Sequence, residues 1–187
     1  MLIAFDDSWA ICSPKKSGSQ SLLAMLCPRL TDGTGIDKAK FVGAPHDFTW
    51  TGTGKRILIV RHPIDRFASM YWASYGDGSF AHGRGVEGWL EQFFQQAATK
   101  TITPAFEWTT TQTEIASVFN PDVICKLEDG LPRVLDVIGI ECERVCWRNQ
   151  TSPRHDFAKT FGCISDEWKK RIIDFTGPDL ALFYGTN

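Results

Sequence analysis

Two lysines, a glycine and several serines lie close together in residues 13–22, a combination that suits the binding of an anion. Gly18 allows the backbone to approach an anion closely, and the N–H groups at the start of a following helix would point towards it. Lys16 adds a mobile positive charge, and serines at alternate positions add hydroxyl donors. Outside a strand–loop–helix setting these residues would form a solvated polar turn. Within that setting they predict a binding loop for a phosphate or sulfate group.

The order of these residues differs from that of two other anion-binding loops. A Walker A loop, GxxxxGK[ST], carries its lysine directly after the second glycine, whereas Lys16 stands two positions before Gly18. A phosphatase loop built on Cys12 would need an arginine six positions later, where this chain has Gly18. We therefore expect neither an ATP-binding loop nor a phosphatase loop.

A second group of polar residues follows the apolar run that ends at Val60. Arg61 stands at the end of a predicted strand and can bind a phosphate through two parallel hydrogen bonds. Ser69 lies on a predicted helix whose start is set by Pro63, and its hydroxyl can reach the same anion. The alternative is that Arg61 pairs with Asp65 and that Ser69 is an ordinary helix residue.

Short apolar segments alternate with amphipathic ones along the chain. The predicted strands are 9–12, 56–60 and 123–126. The predicted helices are 20–30, 65–74, 86–98, 131–138 and 165–176, with Gly139 ending the fourth and Ser165 capping the fifth. This alternation predicts an α/β fold with a parallel sheet covered on both sides. Because ligands bind beyond the carboxyl ends of such strands, the segments after Cys12 and Val60 should lie on the binding edge.

The composition narrows the possible functions. At 187 residues the chain has the size of one domain, and we expect a single domain over residues 1–187. A net charge of −2 argues against a nucleic-acid partner. We expect no signal peptide and no membrane partner, because the first residues lack a basic segment and no apolar run approaches roughly 20 residues. Six scattered cysteines without a CxxC pair predict reduced thiols and a cytoplasmic protein.

The two polar groups resemble the nucleotide motifs of one enzyme family. Residues 13–22 are similar to the 5′-phosphosulfate loop, PKxGSTSL, of sulfotransferases that use 3′-phosphoadenosine 5′-phosphosulfate (PAPS). One extra lysine stands between the proline and the glycine, and Gln20 replaces the usual threonine. The second motif, R-x-P-x-x-R-x-x-S-x-Y, is matched by Arg61, Pro63, Arg66, Ser69 and Tyr71. Residues 123–131 and 179–185 are similar to later segments of the family. The chain is identified as a small PAPS-dependent sulfotransferase of bacterial or viral type.

This resemblance implies a three-layer α/β/α architecture with a central parallel sheet, the P-loop NTPase-like sulfotransferase fold. It implies PAPS as the donor, with its 5′ end held by Lys15, Lys16, Ser17, Gly18, Ser19, Gln20 and Ser21. Arg61 and Ser69 would hold the 3′-phosphate, while Arg154 or Lys159 would close over the donor. The sulfuryl group would pass by in-line displacement to a hydroxyl or amine of a small-molecule or carbohydrate acceptor. Lys16 would neutralise the bridging oxygen, and no metal is required.

In the family a base commonly lies between the two motifs, and His46 is the only histidine between Leu30 and Arg56. Asp47 and Asp37 are the alternatives. An acceptor cleft could be lined by Trp50, Trp72, Phe80, Trp89, Phe93 and Trp108, although such aromatic residues more often form a core. The glycine-rich segment 76–88 is typical of a mobile loop, which could serve as a lid. The competing functions are a P-loop kinase and an inactive nucleotide-binding module.

Overall fold

The computed structural model describes residues 1–28, 36, 39–41, 50–77, 85–99, 106–141 and 161–185. The chain divides into two compact units, each built from two stretches of sequence. The first unit comprises residues 1–61 and 114–150, and the second comprises residues 62–113 and 151–187. The single domain expected over residues 1–187 stays a prediction.

A five-stranded sheet lies at the centre of the first unit. Its strands are β1 (Leu2–Phe5), β2 (Trp9–Cys12), β3 (Lys40–Phe41), β4 (Lys55–Val60) and β5 (Val123–Lys126). They lie in the order β3-β1-β2-β4-β5. The β2, β4 and β5 strands run parallel, with Cys12 opposite Leu58 and Val60 opposite Lys126. The predicted α/β class and these three strands are confirmed.

The expectation of a wholly parallel sheet is wrong, because β1 pairs antiparallel with both β2 and β3. Asp6 and Asp7 connect β1 to β2 with φ values of 36° and 57°, and Ser8 N–H donates to the Phe5 carbonyl at 2.8 Å. Aspartate tolerates this left-handed backbone better than most residues do. So short a connection can join only antiparallel strands. The sheet is therefore mixed.

The helices agree with most of the predicted segments. They are α1 (Ser19–Leu26), α2 (Pro63–Asp77), α3 (Gly85–Thr99), α4 (Phe106–Thr109), α5 (Gln112–Phe119), α6 (Leu131–Val137) and α7 (Asp166–Phe183), with a 3₁₀ turn at Leu127–Asp129. The glycine-rich segment 76–88 is partly helical, because α2 reaches Asp77 and α3 begins at Gly85. Within the described ranges, no helix has both the length and the apolar character needed to cross a membrane.

The ends of three helices show which local sequence signals determine where a helix begins or ends. Gly139 has φ 70°, its N–H donates to Asp136, and Ile140 N–H donates to Leu135, which is a complete Schellman motif after α6. Ser165 accepts a hydrogen bond from the Trp168 N–H and caps α7, as predicted. The first helix ends at Leu26, not at residue 30, because Pro28 disfavours helical backbone at the preceding residue.

One apolar core packs the sheet of the first unit against α1 and α6. It contains Ile11 and Ile57 from the parallel strands, Leu22 and Met25 from α1, and Leu135 from α6. Full burial of each such side chain contributes about 1.5–3 kcal/mol. This packing fixes α1 against the sheet and thereby fixes the loop between β2 and α1.

The core of the second unit is aromatic and is centred on Phe67, whose ring contacts Trp89, Phe93 and Phe161. The Trp89 indole N–H donates to the Ser74 hydroxyl at 2.6 Å. Trp89, Phe93 and Trp108 are all buried in this core, so the core alternative holds for these three aromatic residues. Of the other proposed lining residues, Trp50 and Trp72 are half-buried and Phe80 lies outside the described residues.

A buried carboxylate connects α7 to the start of α5 within the second unit. Asp179 is 2% exposed and accepts the backbone N–H groups of Gln112 at 2.9 Å and Thr113 at 2.7 Å. The Thr113 hydroxyl and the Gln112 side-chain amide donate to the same carboxylate. Asp179 therefore caps a helix that begins more than sixty residues earlier in the chain.

Candidate anion-binding site

The segment of residues 13–18 connects β2 to α1 at the carboxyl end of β2. Because β2 and β4 are parallel neighbours, the end of β4 lies on the same sheet edge, and Arg61 follows it directly. Ligands of α/β proteins bind at this edge. The strand–loop–helix setting that the residue pattern required is therefore present.

The backbone of this loop adopts an unfavourable conformation at Lys16. Ser17 N–H donates to the Pro14 carbonyl at 3.0 Å, which closes a four-residue turn. Lys16 occupies the third position with φ 68°, where type II turns require a positive φ and prefer glycine. A residue with a Cβ atom loses about 1–2 kcal/mol in this region. Such strain is concentrated at functional sites, where the surrounding contacts maintain it.

A buried hydrogen bond supports the turn from within, since the Ser13 hydroxyl donates to the Ser17 carbonyl at 2.9 Å. Gly18 then begins α1 as its N-cap residue with φ 80°. A Cβ atom at Gly18 would lie 2.7 Å from Cδ1 of Leu127 and would displace that side chain, and the φ of 80° also favours glycine. Gly18 offers the first-turn amides no side-chain acceptor, and helix N-termini of this kind bind anions.

The predicted side-chain donors of the loop differ in their exposure. Lys15, Lys16 and Ser19 are half-buried and Gln20 is exposed, so all four reach solvent. Ser17 and Ser21, by contrast, are buried. Lys15, Lys16, Ser19 and Gln20 are therefore better placed than Ser17 and Ser21 to contact a ligand that arrives from solvent.

The guanidinium of Arg61 contacts this loop directly. Its Nη1 atom donates to the carbonyl oxygen of Lys16 at 3.1 Å, and the side chain is half-buried. The structure thus brings together Lys16 and Arg61, which are 45 positions apart in the chain. The resemblance assigned Arg61 to the far end of the nucleotide and gave no sign of this bond.

The other residues of the second motif lie on α2 in the second unit. Ser69 is buried there. Arg66 is also buried, and its Nη2 atom donates to the Thr110 carbonyl at 3.2 Å, which gives it a structural role. The His62 ring packs edge-on against Tyr184 with 5.1 Å between the ring centroids.

Several predicted residues lie outside the described part of the chain, namely His46, Asp47, Asp37, Arg154 and Lys159. The assignment of the base and of the closing basic residue therefore stays a prediction. In the part of the chain that the structure describes, no three histidine, cysteine or acidic side chains are grouped to hold a metal ion.

The thiols near the sheet are poor nucleophiles. Cys12, directly before the loop, and Cys125, on β5, are both buried. Burial raises the pKa of the Cys125 thiol, Arg133 partly opposes that rise and Asp129 adds to it. Since only a thiolate attacks efficiently, this cysteine is inert at neutral pH.

The residues that sequence reasoning missed act through packing and through long-range hydrogen bonds. Nothing in the sequence pairs Leu127 with Gly18, or Asp179 with the start of α5. The chain matches no protein-family model, and comparisons with curated proteins and with solved structures found no match.

Proposed function

We propose that this protein is a PAPS-dependent sulfotransferase whose residues 13–22 bind the 5′-phosphosulfate end of the donor. The observation that carries this proposal is the loop between β2 and α1. Its lysine–glycine order differs from that of ATP-binding loops, it precedes a helix N-terminus, and it contacts Arg61 at the end of the neighbouring parallel strand. Its two half-buried lysines supply the positive charge that a phosphosulfate needs.

The proposed reaction is a direct transfer. A hydroxyl or amine of the acceptor attacks the sulfur in line and forms the new bond to it. The bond between sulfur and the bridging oxygen breaks, and that oxygen leaves with the 5′-phosphate. The Lys16 ammonium stabilises the charge that develops on this oxygen. A base removes the acceptor proton, and His46 is the first candidate, before Asp47 and Asp37.

The resemblance assigns residues to the remaining parts of the donor. Arg61 and Ser69 would hold the 3′-phosphate, and Arg154 would close over the nucleotide. The same resemblance proposes the finer architecture, the three-layer P-loop NTPase-like sulfotransferase fold. The three parallel strands and the β2–loop–α1 connection support that architecture.

Calorimetry with adenosine 3′,5′-bisphosphate and with ATP–Mg²⁺ tests the choice of nucleotide. We expect the bisphosphate to bind more tightly, and Lys16→Ala to weaken it about tenfold or more. Lys55→Ala is the matched control, because it removes an exposed lysine from the amino end of β4. Tighter binding of ATP–Mg²⁺ would contradict the proposal and favour a kinase.

Transfer from PAPS labelled in its sulfuryl group, measured over a panel of carbohydrate, phenol and amine acceptors, tests the reaction. Wild type should label at least one acceptor, and His46→Ala should lower the rate by about 10²–10⁴-fold if this residue is the base. Undiminished transfer by the variant would remove His46 and direct attention to Asp47 and Asp37. Nucleotide binding without transfer to any acceptor would indicate an inactive nucleotide-binding module.

A further inference from the structure

We propose that Arg61 is a positioning residue of the phosphate-binding loop, so that it governs binding of the nucleotide's 5′ end as well as of its 3′-phosphate. This inference rests on the proposed function. The motif assigns Arg61 to the 3′-phosphate, and this inference gives the same arginine a second role at the 5′ end of the donor.

The first support is the place of the bond. Arg61 donates to the carbonyl oxygen of Lys16, the residue whose backbone has the unfavourable φ of 68°. A strained turn persists only where neighbouring contacts hold it. The Arg61 bond comes from the residue that follows β4, outside the loop itself, whereas the bonds of Ser17 N–H to Pro14 and of the Ser13 hydroxyl to Ser17 are internal to it.

The second support is the peptide unit that Arg61 holds. The carbonyl of the Lys16–Ser17 peptide accepts from Arg61, and the N–H of the same peptide donates to the Pro14 carbonyl. With both polar groups bonded, this peptide cannot rotate without losing two hydrogen bonds. Gly18, the N-cap residue of α1, directly follows this peptide, so the orientation of the peptide sets the direction of the helix N-terminus.

A guanidinium has five N–H donors, so the bond to Lys16 does not compete with a phosphate contact. If Arg61 acts only on the 3′-phosphate, its removal should not change the affinity for a nucleotide that lacks this phosphate. An arginine that shapes the loop would lower the affinity for both nucleotides. The two roles therefore predict different results for a matched pair of ligands.

The experiment measures the dissociation constants of adenosine 3′,5′-bisphosphate and adenosine 5′-monophosphate for wild type, Arg61→Ala and Arg61→Lys. We expect Arg61→Ala to weaken the monophosphate at least fivefold and the bisphosphate further. Arg61→Lys keeps one donor for the Lys16 carbonyl and should restore most of the monophosphate affinity. Weaker bisphosphate binding with unchanged monophosphate binding in Arg61→Ala would overturn the inference.

Hydrogen exchange of the nucleotide-free protein gives a second readout that needs no ligand. The amides of Ser17 and Leu22, which donate to the Pro14 and Gly18 carbonyls, should exchange at least fivefold faster in Arg61→Ala than in wild type. Arg56→Ala, which removes a half-buried arginine from the other end of β4, is the matched control and should leave these amides unchanged. Equal exchange in wild type and Arg61→Ala would overturn the inference. If wild type binds neither nucleotide, the proposed function fails, and the exchange rates still decide whether Arg61 holds the loop.

Discussion

Replacing Lys16 with glycine should make the protein more stable while it weakens donor binding. Lys16 has φ 68°, where a residue with a Cβ atom loses about 1–2 kcal/mol and glycine does not. Glycine also gives the unfolded chain more freedom, which offsets about 0.4–1 kcal/mol of the gain. Alanine keeps the Cβ atom and therefore the strain. We expect Lys16→Gly to be about 1 kcal/mol more stable than Lys16→Ala.

Urea denaturation measures this difference as a shift of the unfolding midpoint at an unchanged slope. Lys15 is the matched control position, because it precedes Lys16 and does not share the positive φ. At Lys15, glycine should be less stable than alanine. Calorimetry should show that both Lys16 variants bind adenosine 3′,5′-bisphosphate about ten- to a hundredfold more weakly, since both lack the ammonium.

Two results would refute this reasoning, and they concern different parts of it. Equal unfolding midpoints for the glycine and alanine variants of Lys16 would show that the backbone there carries no strain. Full nucleotide affinity in either variant would show that the ammonium does not contact the donor. The two measurements thus separate the backbone of Lys16 from its charge.

Three further substitutions test the packing around the loop and the second unit. Gly18→Ala should lower the free energy of unfolding by about 1–2 kcal/mol, because alanine is strained at a φ of 80° and its Cβ atom must displace the Leu127 side chain. Gly177→Ala has open space around it in α7 and should be neutral or stabilising by up to about 1 kcal/mol, and equal urea midpoints for the two variants would contradict this. Asp179→Ala should lower the free energy of unfolding by about 2–4 kcal/mol, since the first amides of α5 lose their acceptor. A loss below about 0.5 kcal/mol would contradict the capping role. Burial raises the pKa of the Cys125 thiol, so the unfolded chain releases its proton at lower pH than the folded one, and stability should decline as pH rises above about 8.5. Urea midpoints measured between about pH 7.5 and 10 should decline less in Cys125→Ala than in wild type, while the exposed Cys163→Ala should follow wild type; identical curves for all three would exclude the effect.

The local features of the fold could be predicted because neighbouring residues determine them. The apolar runs before Cys12 and Val60 form parallel strands, and Gly139 and Ser165 end and begin helices through bonds to residues within four positions. The earlier end of α1 was also available from the sequence, since Pro28 restricts the residue before it.

The remaining features depend on partners distant in the chain. The start of α5 looks like a polar, threonine-rich segment, and its helical state is supported by a carboxylate supplied by α7. The bond from Arg61 to Lys16 requires the parallel pairing of β2 with β4, which brings two separate strand ends to one edge. Likewise, Gly18 could be recognised as an anion-loop glycine, but its contact with Leu127 arises only when β5 joins the sheet.

The cap that Asp179 provides has a consequence for the order in which the chain folds as it is synthesised. Residues 112 and 113 are synthesised long before residue 179, and until Asp179 has left the ribosome the first amides of α5 lack the carboxylate that accepts from them in the folded protein. The strand β5 and the helix α6, which belong to the first unit, are made in that interval. The nascent chain therefore carries an uncapped helix start between the two segments of its first unit. A translational pause at any point before Asp179 has left the ribosome would prolong that state.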